Sequence, residues 1–175
     1  MRRDALAAAI ADVALLRGEF TLRSGRSSSY YLDKYLFTTR PDLLAPIAHL
    51  LAERVRALQP TRLAGAELGG VPLVTATGLA TDLPYVFIRN RKKDYGTAQQ
   101  IEGVLRPGDR VVLLEDVATT GGQAVEAIEA LRGVGAEVLA VIAVIDREEG
   151  ARENVERAGC RFEALFTKTD LGVVE

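Results

Sequence analysis

Apolar residues recur along the chain in two spacings, one typical of buried strands and one typical of helices. The runs Val111–Leu114 and Glu137–Asp146 are almost uninterruptedly apolar, as strands covered on both faces are. Between them Ala124, Ile128 and Leu131 follow helical spacing. Because strands alternate with helices, the pattern predicts an α/β fold.

The same spacings predict the other elements. Leu6, Ile10 and Val13 indicate an amphipathic first helix, and Pro41 begins a second helix that Gln59-Pro60 ends. Elsewhere the pattern predicts an antiparallel hairpin within Gly18–Phe37, a strand, glycine turn and helix over Arg62–Ala80, a strand at Tyr85–Ile88, an amphipathic stretch from about Glu148 to Ala158, and a last strand at Arg161–Phe166.

The stretch that follows Leu114 carries the strongest chemical signal. Glu115 and Asp116 are placed at the carboxyl end of the strand, and Val117–Gly122 can wrap a small anion with two threonine hydroxyls and two glycine amides. The next helix directs its positive end at the same place. Because carboxylates repel a phosphate, the two acids would hold a metal or the hydroxyls of a sugar. A phosphate site beside a site for sugar hydroxyls indicates a ribose 5-phosphate. Alternatively, the acids are solvated and the turn is an ordinary crossover.

Two other turns are candidate anion sites. Arg23 and Arg26 lie beside Tyr30 and Tyr31, a combination that suits a planar anion, although an exposed basic turn would have the same composition. Gly69-Gly70 is either a second anion cradle or a tight turn that requires positive φ.

A long segment, Arg89–Gly103, has neither strand nor helix spacing and begins with four cations in five residues. Loops of this length are usually functional or disordered. The chain contains 18 arginines and 4 lysines, and two of the lysines are Lys92 and Lys93. Compact ammonium groups concentrated here suit a lid over a polyphosphate; a solvated basic loop or an RNA-contacting patch is the alternative.

A second set of polar residues follows the long strand Glu137–Asp146. Asp146 and Arg147 come at its carboxyl end, at the same sheet edge as Glu115 and Asp116. Open α/β sheets bind their ligands along this edge.

Composition narrows the class of protein. The net charge of −2 argues against a general affinity for nucleic acid or acidic membranes. The one cysteine, Cys160, excludes an internal disulfide, and the one histidine, His49, makes a histidine-based metal site improbable. No apolar run reaches the roughly 18 residues of a membrane span. We therefore expect a cytoplasmic protein with no membrane or nucleic-acid partner.

Five segments together resemble one known family. GEFTLRSGRSSSYY, GAELGGVP, RNRKKDYG, VVLLEDVATTGG and VIDREEG occur in the order found in the type I phosphoribosyltransferases that use orotate. The resemblance implies one domain over residues 1–175, with a central, mostly parallel sheet flanked by helices and a small N-terminal hood of about residues 1–37. It also implies transfer of the 5-phosphoribosyl group from phosphoribosyl pyrophosphate (PRPP) to orotate, giving orotidine 5′-phosphate in pyrimidine biosynthesis.

The resemblance assigns roles to individual residues. Lys93, Glu115 and Asp116 would be catalytic, the two acids holding the ribose hydroxyls. Arg23, Tyr31, Thr119 and Arg147 would receive orotate. PRPP would contact Arg89, Asn90, Lys92, Lys93, Tyr95, Glu115, Asp116, Val117, Ala118, Thr119, Thr120, Gly121, Gly122 and Gln123.

The family also implies a metal and a partner. Mg²⁺ would be carried on PRPP, without a dedicated protein site, and the chain would form a homodimer whose lid reaches the neighbouring subunit's site. Asn90 and Gly69 each stand where the family often has a lysine, and Tyr95 where many members have histidine. Two alternatives remain: a transferase acting on a purine base, and a PRPP-sensing regulator that binds nucleic acid.

Overall fold

A six-stranded sheet forms the centre of the computed structural model, which describes residues 1–21, 27–90 and 100–173. The helices are α1 (Arg3–Ala14), α2 (Tyr35–Thr38), α3 (Pro41–Leu58), α4 (Gly70–Thr81), α5 (Gly122–Gly133) and α6 (Ala151–Arg157). The strands are β1 (Leu15–Thr21), β2 (Ser27–Leu32), β3 (Arg62–Ala66), β4 (Tyr85–Ile88), β5 (Ile101–Glu102), β6 (Arg110–Ala118), β7 (Glu137–Asp146) and β8 (Arg161–Thr167).

The strand order of the central sheet is β5-β4-β3-β6-β7-β8. All neighbouring pairs are parallel except β4 and β5. Strand β6 therefore lies between β3 and β7, and Ala118 at its end pairs with Asp146 at the end of β7. This confirms the expected α/β fold with a mostly parallel sheet.

The core is divided by the sheet into two apolar clusters. Along β6, Val112 and Leu114 pack in the cluster that α1, α3 and α4 cover, whereas Val111 and Leu113 pack in the cluster that α5 and α6 cover. Side chains on a strand alternate between faces, so a strand that is covered on both sides must be apolar at every position. This explains why β6 and β7 are almost continuous apolar runs.

The N-terminal hairpin forms a separate two-stranded sheet. Strands β1 and β2 pair antiparallel, as predicted from their composition. The hairpin is attached to the first helix because the backbone N–H of Asp33 donates to the carbonyl of Ala14 at 2.9 Å. Its face toward the core carries Tyr30 and Leu32, both buried.

Two local expectations were wrong, and one of the two alternatives left open for Gly69-Gly70 is excluded. Strand β6 continues to Ala118, because Val117 and Ala118 pair with β7, so the two acids lie within the strand and not at its end. Segment 89–103 contains a short strand, β5, which pairs with β4. The Gly69-Gly70 turn does not require positive φ, since Gly69 has a helical φ of −70° and Gly70 is not among the positive-φ glycines.

Gly70 is needed for space. A Cβ on this residue would lie 3.1 Å from the carbonyl carbon of Gly65 and 3.3 Å from the carbonyl oxygen of Leu114. The absence of a side chain at Gly70 therefore allows the start of α4 to pack closely against the backbone of β3 and β6.

The one cysteine and the one histidine of the chain occupy ordinary positions. Cys160 is buried, and Nδ1 of His49 lies 2.8 Å from the carbonyl oxygen of Ala45 on an exposed part of α3. Among the helices in the described ranges, none is long and apolar enough to cross a membrane.

Candidate active site

Two adjacent carboxylates lie buried near the end of the central strand. Glu115 is 7% exposed and Asp116 is 1% exposed. The backbone N–H of Val117 donates to Oδ1 of Asp116. Oε2 of Glu115 has no hydrogen-bond partner among the described residues. A buried acceptor without a partner is costly, so this oxygen is available to a ligand.

The environment of Glu115 favours its neutral form. Burial, followed by repulsion from the charge of Asp116, raises the pKa of Glu115 to about 8. Carboxyl groups with perturbed pKa values in a concave site are candidates for function.

This shift predicts a pH-dependent stability that Glu115→Gln removes. Between the ordinary pKa of 4.5 and about 8, the unfolded chain loses the Glu115 proton while the folded chain retains it. The free energy of unfolding should therefore fall as pH rises through this interval, by at most about 1.4 kcal/mol per pH unit from this group. Urea unfolding at closely spaced pH values should show a flatter profile for Glu115→Gln.

The matched control is Glu126→Gln, which removes an exposed carboxylate from α5. Its profile should follow that of the unmodified chain. An equal slope in Glu115→Gln and in the unmodified chain would show that Glu115 does not hold its proton in the folded state.

A lysine from the N-terminal hairpin region reaches the acids. Nζ of Lys34 lies 3.0 Å from Oδ2 of Asp116. Burial alone lowers the pKa of Lys34, but attraction to Asp116, the hydrogen bond between them and weaker attractions to Tyr35 and Glu115 raise it above its ordinary value. The acid pair is therefore partly compensated by a cation from a distant part of the sequence.

A small hollow adjoins Glu115 at the end of β6. It has a volume of about 80 Å³ and is lined by Glu115, Val117, Ala118, Thr119, Thr120, Gly121, Gly122, Gln123 and Ala124. Helix α5 begins at Gly122, and its N-cap residue, Gly121, has no side chain with which to cap it. Its first backbone N–H groups are therefore free to bind an anion, which the helix dipole also favours. We call residues 117–123 the ribose-phosphate loop.

Gly121 determines the shape of the ribose-phosphate loop. Its φ of +77° lies in the left-handed region, and a Cβ would lie 3.1 Å from both Cα and the carbonyl oxygen of Ala151. Both conformation and space therefore require glycine. The loop is also fixed from outside, since Nδ2 of Asn154 donates to the carbonyl of Thr120 at 2.8 Å, and the backbone N–H of Arg147 donates to the carbonyl of Ala118 at 2.9 Å.

Asn90 lies between two turns of the site. Its backbone N–H donates to Oε1 of Glu67 at 2.8 Å, and its side-chain oxygen accepts from Nε2 of Gln123 at 3.5 Å. The peptide bond between Glu67 and Leu68 is cis. Asn90 therefore links the turn before α4 to the ribose-phosphate loop, at the start of the segment expected to be a lid.

Arg89 is the other described residue of segment 89–103 that was predicted to contact PRPP. Its backbone N–H donates to the carbonyl of Gln100 at 2.8 Å, which joins the two ends of segment 89–103. Its Nη1 is 3.9 Å from Oε1 of Glu102. Nε of Arg89 is buried and has no hydrogen-bond partner in the described ranges.

Arg147 is held at the same edge of the sheet and is 7% exposed. Its Nη2 donates to the hydroxyl of Tyr30 at 3.1 Å, and its guanidinium carbon lies 4.9 Å from the centre of the Tyr30 ring. Nη2 is also 2.9 Å from Oε1 of Glu149. Nε of Arg147 is buried without a partner in the described chain. The guanidinium is thus fixed on one side and has donor capacity for an anion.

Tyr31 lies on the opposite face of β2 from Tyr30. It is 44% exposed, whereas Tyr30 is 3% exposed, and its ring lies against Phe20 with 5.8 Å between ring centres. The structure therefore brings Tyr30 to Arg147. The predicted role of Tyr31 in orotate binding stays a prediction. Arg23, Lys92, Lys93 and Tyr95 were also assigned roles and lie outside the described residues.

Sequence reasoning missed Lys34, and it named Tyr30 only as a neighbour of a candidate anion site, while assigning orotate to Tyr31. Tyr30 lies two residues before the apolar Leu32, so the two side chains are on the same face of β2, and the apolar leucine indicates that this face is buried. Lys34 is one of only 4 lysines in an arginine-rich chain, the same signal that drew attention to Lys92 and Lys93.

The carboxylates of the described residues are the candidate ligands for a metal ion. The described ranges contain no group of three or more His, Cys, Asp or Glu residues suited to hold a metal ion. Glu115 and Asp116 nevertheless provide the oxygen donors that Mg²⁺ prefers, and Oε2 of Glu115 lacks a hydrogen-bond partner there. This donor set fits a metal that a substrate also coordinates.

The acid pair, the small hollow beside it and the start of α5 lie together at the carboxyl edge of the parallel sheet, which is the arrangement that the sequence predicts for a ribose-phosphate site. Consistent with this class, residues 37–161 match the phosphoribosyl transferase domain family. The chain belongs to the phosphoribosyltransferase family.

Its similarity extends to members that use orotate. The chain is 53% identical to the orotate phosphoribosyltransferase of Natronomonas pharaonis over 88% of this chain and 87% of that protein. It is 48% identical to that of Halobacterium salinarum, over 96% and 95%. The crystal structure of the Mycobacterium tuberculosis orotate phosphoribosyltransferase in complex with PRPP aligns with a TM-score of 0.83 at 34% identity, covering 98% of this chain and 99% of that chain.

Proposed function

We propose that this chain transfers the 5-phosphoribosyl group from PRPP to orotate, giving orotidine 5′-phosphate and pyrophosphate. The observation that carries the proposal is the placement of the buried pair Glu115 and Asp116 beside the ribose-phosphate loop, with Arg147 fixed at the same edge of the sheet. The acid pair would accept the sugar hydroxyls, the ribose-phosphate loop would bind the 5-phosphate, and Arg147 would bind the anionic base. The names of the relatives given above support orotate as the base.

The proposed reaction breaks the bond from the anomeric carbon to pyrophosphate and forms a bond from that carbon to a nitrogen of orotate. The N–H groups at the start of α5 and the hydroxyls of Thr119 and Thr120 bind the 5-phosphate. Glu115 and Asp116 accept hydrogen bonds from the ribose hydroxyls. The negative charge of Asp116 also stabilises the cationic character that the ribose gains in the transition state, while Glu115, whose pKa is raised to about 8, takes part as a neutral hydrogen-bonding group.

Other residues act on the two remaining groups. Arg147 donates to orotate and is oriented by the Tyr30 hydroxyl. Arg89 and the lysines Lys92 and Lys93 neutralise charge on the leaving pyrophosphate. Mg²⁺ on PRPP, beside Glu115 and Asp116, supplies further charge neutralisation when bound. The protein itself has little proton transfer to perform, so positioning and electrostatics carry the rate enhancement.

The decisive experiment measures pyrophosphate release. Protein, Mg²⁺ and PRPP are mixed with orotate, adenine, hypoxanthine or uracil in separate reactions. Release with orotate alone is the expected result. Release with a purine would assign the other class of base, and no release with any base would favour a non-catalytic PRPP-binding protein.

Tyr30→Phe is expected to weaken orotate use selectively. It removes the hydroxyl that accepts from Arg147 but retains the aromatic ring under the guanidinium. Losing one buried hydrogen bond of about 1 kcal/mol should raise KM for orotate roughly fivefold. KM for PRPP should stay unchanged in the same steady-state assay.

Tyr31→Phe is the matched variant, since it removes a neighbouring hydroxyl on the exposed face of β2. It should show a normal KM for orotate if Tyr30 alone supports Arg147. The reverse pattern would assign orotate contact to Tyr31.

We also propose that residues 1–37 act as a hood over a single domain and that two chains share their lids in a homodimer. Contacts from Tyr30 to Arg147 and from Lys34 to Asp116 support the hood, because both cross from this segment to the sheet edge. The shared lid rests on the family resemblance of segment 89–103.

The shared lid predicts rescue between two inactive variants. Chains carrying Lys93→Ala and chains carrying Asp116→Asn are mixed, unfolded and refolded together. Half of the resulting dimers are mixed, and each has one site with an intact lid and intact acids, so about a quarter of the normal activity should return. Refolding each variant alone is the control, and a mixture no more active than these would place each lid over its own site.

A further inference from the structure

Lys34 is placed at the acid pair by the backbone around it. Its carbonyl oxygen accepts hydrogen bonds from the backbone N–H and the hydroxyl of Thr38, each at 3.0 Å. The short helix α2 that follows is anchored by Phe37, which is fully buried. The Lys34 side chain is half-buried, and its ammonium ends 3.0 Å from Oδ2 of Asp116. Its position is therefore fixed by the fold before any substrate arrives.

Gly69 lies against the same carboxylate oxygen. Its φ of −70° and ψ of −25° are accessible to any residue, so the backbone does not require glycine. A Cβ at this position would instead overlap Oδ2 of Asp116. The missing side chain leaves room for Asp116 to adopt the position in which Lys34 pairs with it.

Asp116 is therefore held at both oxygens. The backbone N–H of Val117 donates to Oδ1, and Lys34 donates to Oδ2. Each carboxylate oxygen has a second acceptor site, so both can still receive a hydrogen bond from a ligand. A group that is already ordered loses little further freedom on binding, which improves affinity.

We propose that Lys34 is a positioning residue for the ribose hydroxyls: it compensates the charge of the Glu115–Asp116 pair and holds Asp116 in the orientation that accepts the sugar. The inference rests on the proposed function in one respect, that the acids bind the ribose of PRPP. It assigns to the hood a role in sugar binding that is separate from the contact between Tyr30 and Arg147. The raised pKa of Lys34 agrees with a stable pairing to Asp116.

Binding of two simple ligands tests the proposal without turnover. Ribose 5-phosphate and inorganic phosphate are titrated calorimetrically into the unmodified chain, Lys34→Met and Lys34→Arg. Lys34→Met should weaken ribose 5-phosphate about tenfold, because the carboxylate loses its charged partner. Inorganic phosphate should bind all three proteins equally, since it uses only the ribose-phosphate loop. Lys34→Arg should retain most of the ribose 5-phosphate affinity.

Two further variants distinguish the orientation of Asp116 from the mere loss of a positive charge. Gly69→Ala keeps every charge but displaces Asp116, and it should weaken ribose 5-phosphate while leaving phosphate binding intact. Arg40→Met removes a cation from an exposed pair with Asp42, whose Nη2–Oδ2 distance is 2.6 Å, and should change neither affinity.

The outcomes are distinct. Equal ribose 5-phosphate affinity in Lys34→Met and the unmodified chain would overturn the proposal. An equal loss for both ligands would also overturn it, because the effect would then be general. If the unmodified chain bound phosphate but not ribose 5-phosphate, the proposed function and this inference would fail together, whereas normal orotate turnover with an insensitive Lys34→Met would reject the inference alone.

Discussion

Replacing Asp116 with Asn is expected to lower kcat/KM for PRPP by about 100- to 1,000-fold, the usual effect of losing one charged group that stabilises a transition state. The neutral amide cannot balance the cationic ribose. It also leaves the Lys34 ammonium, 3.0 Å away, without its anionic partner. A loss of about 1–3 kcal/mol in unfolding free energy should accompany the kinetic effect. Steady-state kinetics and urea unfolding measure the two quantities separately.

Asp109→Asn is the matched control for this variant. Asp109 accepts from Nε of Arg62 at 3.0 Å at the opposite end of β6. Its replacement should reduce stability and leave kcat/KM unchanged. If Asp109→Asn lowered activity as much as Asp116→Asn, lost stability would explain both results and the assigned role of Asp116 would be wrong.

Lys93→Ala is expected to lower kcat by about 100- to 1,000-fold while changing KM for PRPP only slightly. The pyrophosphate gains negative charge as its bond to the ribose breaks, so contact with an ammonium group strengthens in the transition state. An interaction of this kind appears in kcat and much less in ground-state binding. Single-turnover measurements with PRPP and orotate would locate the loss at the chemical step.

Lys92→Ala removes the same charge one residue earlier and is the natural comparison. The resemblance assigns the principal role to Lys93, so Lys92→Ala should cause the smaller decrease in kcat. A variant of Lys93 that altered only KM would exclude the proposed contact with the leaving group.

Local patterns in the sequence predicted most of the fold. The strand β7, its bounds included, follows from a run that is apolar on both faces, and Pro41 and Gln59 correctly marked the limits of α3. The turn between β6 and α5 was also predictable, because glycines that follow a buried strand and precede a helical pattern mark a tight connection, whereas its role in phosphate binding stays a prediction. These features depend on neighbours in sequence.

The errors concern contacts between distant segments. The sequence pattern ended β6 at its first charged residue, since a carboxylate inside a doubly covered strand is unfavourable unless a partner reaches it. That partner, Lys34, lies in the turn between β2 and α2, about eighty residues earlier in the sequence. The choice between Tyr30 and Tyr31 likewise depends on which face of β2 meets Arg147, and local composition does not determine this.

The alternation of β6 between the two clusters also places the two acids on opposite sides of the sheet. Consecutive strand residues point to opposite sides, so Glu115 borders the hollow at the start of α5 while Asp116 meets Lys34 and Gly69 on the side of α4. A ligand that reaches both must straddle the rim of the sheet. Inserting one residue into β6 would exchange the two carboxylates across the sheet along with every apolar side chain. The same register that fills both halves of the core therefore also decides which carboxylate faces the start of α5 and which faces Lys34.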